Sequence, residues 1–274
     1  MKRIQSRRSK TIRRNNAEIL VIGNELLIGH TLDTNSNWIA QRLRDQGWHL
    51  QRITTVPDVL EIIAASVKET LRRKPRLLIT LGGLGPTPDD MTLKGVGLGL
   101  GKALQLNVKA LRMVQAFYGR MGRGEMDMTI PRKKMASLPI GARPIANPVG
   151  TAPGVILTKG MSTVVSLPGV PKEMKAIFLD SIVPILKTTG GRAPAEITMR
   201  IDGIVESALA PTITLVKRRY PGLYFKSHPR GSEITGRPLI ELHIYSLNEN
   251  SRKKLGEAAF FILTRLAKHT RKDE

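Results

Sequence analysis

Residues 76–92 read RLLITLGGLGPTPDDMT, and this stretch is the strongest indication of the fold in the sequence. Its apolar first part, residues 76–81, predicts a strand that is buried on both faces. Residues 82–90 predict a loop, and a helical pattern begins near residue 91. Ligands of open α/β sheets bind beyond the carboxyl ends of the strands. The stretch therefore predicts both an α/β fold and the position of a ligand site.

The glycines of this loop, Gly82, Gly83 and Gly85, predict a site for a bulky anion. Glycine lets the backbone approach a phosphate closely because it has no Cβ. Backbone amides in such a turn, with the N-terminus of the following helix, attract negative charge. We expect the loop to hold the phosphate of a nucleotide or a pterin-type ligand. The structural alternative is that the glycines only form a turn.

Two adjacent carboxylates, Asp89 and Asp90, follow the glycines. Carboxylate oxygens hold Mg²⁺ or another divalent cation that bridges to phosphate oxygens. Without a metal ion the same carboxylates would repel the phosphate. These residues therefore predict a metal site beside the phosphate site. The alternative is that Asp90 only caps the helix that begins near residue 91.

Strand and helix patterns alternate on both sides of this loop. Strands are predicted at 17–23 and 48–56, and helices at 35–46 and 58–73. Beyond the loop we expect helices at 91–101, 107–121, 129–137 and 171–187, and strands at 154–158 and 162–167. The repeated strand–helix order implies a mostly parallel sheet with right-handed crossovers.

A second, smaller domain is predicted at the C-terminal end of the sequence. Residues 188–194 have the composition of a linker. Strands are expected at 196–204, 223–228 and 238–246, and helices at 206–219 and 250–268. This order predicts an α+β domain over 195–270 with its helices on one face of a sheet.

Composition limits the class of protein. The chain has 274 residues and no cysteine, which excludes disulfides, zinc–thiolate sites and thiol catalysis. No apolar run is long enough to span a bilayer. Residues 1–16 are basic without the apolar stretch of a secretory signal, so we predict a disordered basic tail. A cytoplasmic location is expected.

The charge of the chain is strongly positive, with 44 Lys and Arg against 22 Asp and Glu and a net charge of +22. A field of this sign favours anionic partners such as nucleotides, nucleic acids or acidic lipids. Aromatic residues are only 4% of the chain, which argues against a stacking platform for single-stranded nucleic acid.

Three further loops are candidate walls of the ligand site. The first follows the strand at 17–23, where Glu25 is either a metal or ligand contact or a turn residue. The others are the Pro- and Gly-rich segments 147–154 and 166–174. The candidate ligand contacts in these loops are Glu25, Asn147, Gly150, Thr151, Pro168 and Gly169. Taken singly, each loop is more often structural than functional.

Together these loops resemble one known family. The segments GNELLIGH, TNSN, TVPD, GGLGPTPDDMT, NPVGTAPG and LPGVPKEM occur in the order found in the CinA family. Its first domain has the MoaB/Mog, or molybdopterin-binding, fold. The resemblance implies a three-layer α/β/α MoaB/Mog-like domain over 17–188 with a mostly parallel sheet. Residues 195–270 look like the small α+β KH-like domain of the same proteins.

The resemblance also implies an activity. In the wider family the turn formed here by Gly82, Gly83, Gly85, Pro86 and Thr87 holds a pterin or nucleotide phosphate. Asp90 corresponds to an aspartate that assists metal-dependent chemistry at a pyrophosphate, and Asp58 to one that faces the same site. CinA-type domains are associated with cleavage of ADP-ribose to AMP and ribose 5-phosphate, with Mg²⁺ or another divalent metal such as Co²⁺. Mog-type relatives instead adenylylate molybdopterin, and a non-catalytic pterin- or nucleotide-binding protein is a third possibility.

The sequence departs from the family pattern in several places. No amidase domain follows, so nicotinamide-nucleotide deamidation is expected to be absent. Asn24 and His30 stand where the family has Thr and Gln, and both changes remain polar. The KH-like region has no G-x-x-G loop, since its nearest glycines, Gly231 and Gly236, have four residues between them, so specific nucleic-acid binding is unsupported. As in CinA-like proteins, a homo-oligomer is expected, preferably a dimer.

Overall fold

A computed structural model describes residues 15–120, 128–191, 193–230, 238–246 and 251–270 of the chain, without the side chains of 268–270. It divides into two compact units, Met1–Gly191 and Arg192–Glu274. Most of the predicted tail, the last residue of the helix predicted at 107–121, and Gly231 and Gly236 lie outside the described residues. No helix within the described ranges is long and apolar enough to cross a membrane.

The first unit contains eight strands and eight α-helices in its described part. The strands are β1 (Asn16–Ile22), β2 (His49–Val56), β3 (Leu77–Leu81), β4 (Leu104–Leu106), β5 (Ser137–Pro139), β6 (Arg143–Ile145), β7 (Gly154–Lys159) and β8 (Ser162–Leu167). The helices are α1 (Asn24–Leu27), α2 (Thr34–Asp45), α3 (Leu60–Arg72), α4 (Thr92–Leu100), α5 (Val108–Arg120), α6 (Ile130–Met135), α7 (Pro171–Ile177) and α8 (Val183–Thr189), the last two joined by a π-helical turn, Phe178–Ile182.

Six strands form the central sheet in the order β2-β1-β3-β8-β7-β6. The strands β2, β1, β3 and β8 run parallel, whereas β7 and β6 are antiparallel to their neighbours. The mostly parallel sheet of the prediction is thus confirmed. The carboxyl ends of four neighbouring strands, at Ile22, Val56, Leu81 and Leu167, consequently meet at one edge.

Helices cover both faces of this sheet because the apolar strand residues alternate between two cores. One core combines Leu20, Leu78 and Val164 with Ile63 of α3, Val96 of α4 and Val114 of α5. The other combines Ile19, Ile79 and Val165 with Ile39 of α2, Met174 of α7 and Phe178. Burial on both sides explains why the central strands are continuous apolar runs. The three-layer α/β/α architecture follows from these two cores.

The second unit is a small α+β fold. Its elements are β9 (Glu196–Asp202), α9 (Glu206–Arg219), β10 (Tyr224–Pro229), β11 (Leu239–Tyr245) and α10 (Arg252–Thr270). The three strands form an antiparallel sheet in the order β10-β11-β9. Both helices pack on one face of it, around Leu209, Leu242 and Ile262. This is the layer arrangement that the sequence predicts.

Two predictions need correction at their boundaries. The basic tail was predicted to extend to residue 16, but Asn16 belongs to β1, where its side chain is buried and accepts a hydrogen bond from the Arg76 amide. The helix predicted over 58–73 begins at Leu60, so Asp58 lies in the loop before it. The sequence pattern assigned Asn16 to the tail because it is polar and its hydrogen-bond partner, Arg76, lies 60 residues away in the chain.

Candidate functional site

A cleft of about 470 Å³ opens at the edge where the four parallel strands end. Its walls come from the loops after β1, β2, β3 and β8 and from the loop before β7. It is lined by Ile22, Gly23, Glu25, Asp58, Gly82, Gly83, Leu84, Gly85, Pro86, Asp89, Asp90, Met135, Thr151, Ala152, Pro168, Gly169, Val170 and Glu173. Most of the predicted site residues therefore share one cleft, although they are far apart in sequence.

Two glycines give the loop after β3 its shape. Gly82 and Gly83 have φ angles of +94° and +61°, which favour glycine. A Cβ on Gly82 would lie 2.3 Å from the carbonyl oxygen of Ile22, and one on Gly83 would lie 2.4 Å from Oγ1 of Thr92. The glycines are required by close packing of the backbone as well as by its conformation. The loop thus passes directly beside the end of β1.

The glycine loop lines the cleft, and its backbone amides differ in their hydrogen bonding. The Gly82 amide donates to the Leu167 carbonyl at 3.0 Å, and the Gly83 carbonyl accepts from the Thr92 amide at 3.2 Å. In the described part of the chain, no hydrogen bond engages the amides of Gly83, Leu84 and Gly85. Consecutive free amides in a turn form a concave site for an anion. These three amides are the groups that would hold the predicted phosphate.

Asp90 closes the same loop on its far side. Its Oδ2 accepts hydrogen bonds from the amide and the hydroxyl of Thr87, at 2.8 and 2.6 Å. The helix α4 begins after Met91 and has no side-chain cap, so Asp90 does not cap it. Thr87 does not line the cleft; it positions Asp90, and its carbonyl accepts a hydrogen bond from Nζ of Lys134. Asp90 itself lines the cleft.

Asp58 is tied to the loop after β1. Its Oδ2 accepts from the Asn24 amide at 2.8 Å, and the Asp58 amide donates to Oδ1 of Asn24 at 3.4 Å. Burial raises the pKa of Asp58 above its ordinary value, and the nearby charges of Glu25, Asp90 and Asp89 raise it further, against the lowering effect of the Asn24 amide. The carboxylates of Glu25, Asp89 and Asp90 are therefore close enough to repel that of Asp58.

Glu173 is a cleft residue that the sequence prediction missed. It lies in the first turn of α7, and its Oε2 accepts from Nδ2 of Asn147 at 2.6 Å. Asn147 also donates to the Ala152 carbonyl at 2.9 Å and accepts from the Gly150 amide at 2.9 Å. A Cβ on Gly150 would lie 2.1 Å from Cδ of Glu173. Asn147 and Gly150 were expected to contact the ligand, but neither lines the cleft. They instead hold Glu173 and the loop before β7 in place.

A second residue that the sequence prediction missed, Asn35, supports the loop after β8. Its Nδ2 donates to the Gly169 carbonyl at 2.7 Å, which joins the N-terminus of α2 to the loop after β8. A Cβ on Gly169 would lie 3.3 Å from Cα of Gly82, so this loop also needs close backbone approach. Glu173 and Asn35 both belong to quoted family segments, LPGVPKEM and TNSN. Their position in these family segments was the sequence feature from which a role at the site could have been predicted.

The charge of the cleft is opposite to that of the chain. Five carboxylates line it, those of Glu25, Asp58, Asp89, Asp90 and Glu173, and no Lys or Arg of the described chain is among its lining residues. No group of three or more His, Cys, Asp or Glu side chains within the described ranges is arranged to enclose a metal ion. Mg²⁺, however, is commonly held by one or two carboxylates, with water and ligand phosphates completing its coordination. The oxygen donors of Asp89 and Asp90 fit that mode.

Comparison with known proteins agrees with this geometry. Residues 18–188 match the family model described as a probable molybdopterin binding domain. A protein from Aeropyrum pernix is 45% identical over 243 residues, covering 88% of this chain and 89% of its own. One from Pyrobaculum calidifontis is 44% identical over 231 residues, covering 84% and 86%.

A solved structure resembles the chain as well. The crystal structure of the protein CinA from Thermoplasma acidophilum, described as having unknown function, is 39% identical to this chain with a TM-score of 0.59. The match covers 63% of this chain and 99% of that one. The chain therefore belongs to the family of the probable molybdopterin binding domain and is a CinA-like member of it.

Proposed function

We propose that the cleft binds a nucleotide or pterin phosphate together with a divalent metal ion, and hydrolyses a nucleotide-sugar pyrophosphate such as ADP-ribose. The products would be AMP and ribose 5-phosphate. One observation carries the proposal: residues 83–85, whose amides have no hydrogen-bond partner in the described chain, line the same cleft as five carboxylates. The amides favour an anion, and the carboxylates favour a cation.

The balance of charge explains why both ligands are needed. A pyrophosphate alone would meet the five carboxylates that line the cleft, with Lys134 as the nearby cation at the Thr87 carbonyl, so its binding would be opposed by net repulsion. A cation alone would find no closed set of side-chain ligands in the described chain. Mg²⁺ or Co²⁺ at Asp89 and Asp90 would neutralise charge on the phosphoryl oxygens and lower the pKa of the attacking water. Each ligand thus completes the site of the other.

The residues of the chain have separate roles in this reaction. The amides of Gly83 and Gly85 hold non-bridging oxygens of the phosphate, as in other anion-binding turns. Asp58 accepts a proton from the attacking water, a role suited to a carboxylate whose pKa is raised. The new bond joins the water oxygen to phosphorus, the bond from phosphorus to the bridging oxygen breaks, and that oxygen leaves with the second product.

A second candidate function is binding without hydrolysis. The matched family is described by its binding of molybdopterin, which favours a pterin ligand in the same cleft. Such a protein would hold a pterin or nucleotide without turnover, or would adenylylate molybdopterin with ATP. The same amides and carboxylates serve these roles, because all of these ligands carry phosphate. Product formation is therefore the measurement that separates the candidates.

The test is incubation of the full chain with ADP-ribose and Mg²⁺, and separately with Co²⁺, followed by chromatography for AMP. We expect AMP only when metal is present. Asp90→Asn keeps an oxygen acceptor for Thr87 but removes the charge, so AMP formation should fall by about 100-fold or more. A chain that forms no AMP with either metal, yet is stabilised against heat by molybdopterin, would support the binding candidate instead.

A matched control separates local charge from general effects. Asp180→Asn removes the same charge from an exposed side chain that does not line the cleft. We expect its activity to equal that of the unmodified chain. If both variants lose activity equally, Asp90 has no special role, and the assignment of the metal site to this loop fails.

A further inference from the structure

A second pocket, of about 190 Å³, adjoins the cleft of the first unit. The two share part of their lining, namely Gly83, Leu84, Gly85 and Asp90. The second pocket also has two lysines, Lys94 and Lys134, against the single carboxylate of Asp90. We call it the lysine pocket. The glycine loop thus borders one site that is lined by carboxylates and another that is lined mainly by ammonium groups and apolar side chains.

Lys134 of α6 has donors to spare for an anion. Its Nζ donates to the Thr87 carbonyl, and no other hydrogen bond engages this ammonium group in the described chain, although it has three donors. Burial lowers the pKa of Lys134, and the charge of Lys94 lowers it further, whereas Asp90 and Asp89 raise it. A half-buried ammonium is screened less by solvent than an exposed one, so an anion gains more from binding beside it.

Lys94 adds a second positive charge from the first turn of α4. Its side chain is exposed and forms no hydrogen bond or ion pair with any residue that the structure describes. It lies near enough to Lys134 to lower the pKa of that residue, so the two ammonium groups repel each other. An anion bound beside both would offset this repulsion. The N-terminus of α4, which has no side-chain cap, favours negative charge as well.

The rest of the wall of the lysine pocket is apolar. It is formed by Pro88, Met91, Leu93 and Leu104. Aliphatic and thioether side chains suit the face of a planar ring such as a purine. A sugar would lose water from its hydroxyl groups at this wall without gaining hydrogen bonds from it. An apolar wall beside two cations therefore fits a nucleoside monophosphate better than a sugar phosphate.

We propose that the lysine pocket binds the nucleoside monophosphate half of the substrate, with the base against Met91 and Leu104 and the phosphate beside Lys134. This proposal rests on the proposed function, since it needs a substrate in which a pyrophosphate joins a nucleoside to a sugar. It assigns the two products to different sites. AMP lies in the lysine pocket, and ribose 5-phosphate lies in the cleft beside the carboxylates that would hold the metal ion.

The experiment is calorimetric titration of the full chain with AMP and, separately, with ribose 5-phosphate, both with saturating Mg²⁺. We expect Lys134→Met to weaken AMP binding by about 10-fold, because the phosphate loses a charge-assisted hydrogen bond. Lys94→Met should weaken it by about 3-fold, since an exposed charge contributes less. Lys94 has no partner in the described chain, so this variant leaves the contact of Lys134 with the Thr87 carbonyl intact. Ribose 5-phosphate binding should change little in either variant.

Two further variants separate the contributions of charge and of the apolar wall. Lys133→Met removes the same charge from an exposed position of α6 that lines neither site, and should bind AMP like the unmodified chain. Leu104→Ser changes a wall residue of β4 that is 36% exposed. It should weaken AMP binding by about 3-fold, because apolar contact with the base is lost. Its binding of inorganic phosphate should be unchanged.

Three results would overturn the proposal. Equal losses of AMP binding in Lys133→Met and Lys134→Met would show attraction by net charge alone. A larger loss for ribose 5-phosphate than for AMP would place the sugar phosphate in the lysine pocket. AMP binding that is absent, or unchanged by both Lys94→Met and Leu104→Ser, would leave the pocket without a nucleotide. The titrations involve no turnover, so a chain that binds AMP as expected but forms none from ADP-ribose would support the pocket and contradict only the hydrolysis.

Discussion

The cleft of the first unit is lined by acidic side chains, whereas the open sheet face of the second unit carries acidic and basic side chains in equal number. Five carboxylates line the cleft, and no Lys or Arg of the described chain does. The open face lies on the side of the sheet away from the helices, and its charged residues are Glu196, Glu241, Asp202, Lys226, Arg200 and Arg230. Cationic side chains near the cleft instead line the lysine pocket. The net charge of the chain therefore does not indicate where or how it would bind an anion.

The largest expected effect tests how strictly the cleft loop depends on glycine. Gly83→Ala adds a Cβ 2.4 Å from Oγ1 of Thr92 in a left-handed conformation, so we expect it to lower the free energy of unfolding by about 3 kcal/mol. Gly101→Ala has a similar φ of +68° but open space around it, and should cost only about 1 kcal/mol. Urea denaturation of both variants measures the difference. Equal costs would mean that the loop can move aside, and that its shape is not rigidly set.

Metal removal should separate the cleft from the sheet face next. With ADP-ribose at 100 times its dissociation constant and Mg²⁺ present, the chain should gain about 2.7 kcal/mol in stability. A chelator should remove most of this gain, since the carboxylates then repel the ligand. Asp202→Asn removes an exposed carboxylate from the sheet face and should leave both the gain and its loss unchanged. Thermal melting measures these effects, and a ligand gain that survives chelation would contradict a metal-bridged cleft.

Salt should distinguish the cleft from the lysine pocket. Raising salt from about 0.05 to about 0.2 M should weaken AMP binding by about 3-fold, because Lys94 is exposed and its charge is screened. Binding of ribose 5-phosphate with saturating metal should change less, since short contacts inside a cleft are screened less than exposed charges. Titrations at several salt concentrations compare the slopes. Equal slopes would remove the distinction between the two sites.

The smallest effect concerns Asp58. The folded chain holds its proton more tightly than the unfolded chain does, because its pKa is raised by burial and by neighbouring carboxylates. Stability therefore falls as pH rises through this pKa. Asp58→Asn keeps an acceptor for the Asn24 amide and escapes this loss, so its melting temperature without ligand should exceed that of the unmodified chain by about 1–3 °C at neutral pH.

The same variant should show a dependence on pH and a loss of function. Its stability advantage should shrink at acidic pH, where Asp58 is protonated in both the folded and the unfolded chain. Turnover of ADP-ribose should also fall if Asp58 accepts the proton from water. A variant that is less stable at neutral pH would show that the Asn24 hydrogen bond outweighs the repulsion.

Much of the fold and of the site could be predicted from local patterns. Apolar runs such as residues 76–81 indicated buried strands, and the glycines after them indicated the anion loop. The short strands β4, β5 and β6 were missed, since three residues carry too little periodicity. Asn147 and Gly150 were predicted to contact the ligand because of the composition of their loop. Loop composition cannot distinguish a residue that lines a cleft from one that holds a lining residue in place.

The sequence by itself determined the order of strands and helices and the loop at residues 82–90, because these depend on patterns within a few residues. Which residues lie side by side depends on the tertiary structure. The pairing of β2, β1, β3 and β8 brings Asp58, Asp90 and Glu173 into one cleft. The pairing of β10 with β11 places Tyr224 beside Tyr245 and leaves one face of their sheet uncovered. Such contacts join residues far apart in the chain, and the packing of buried side chains, not local propensity, sets their register.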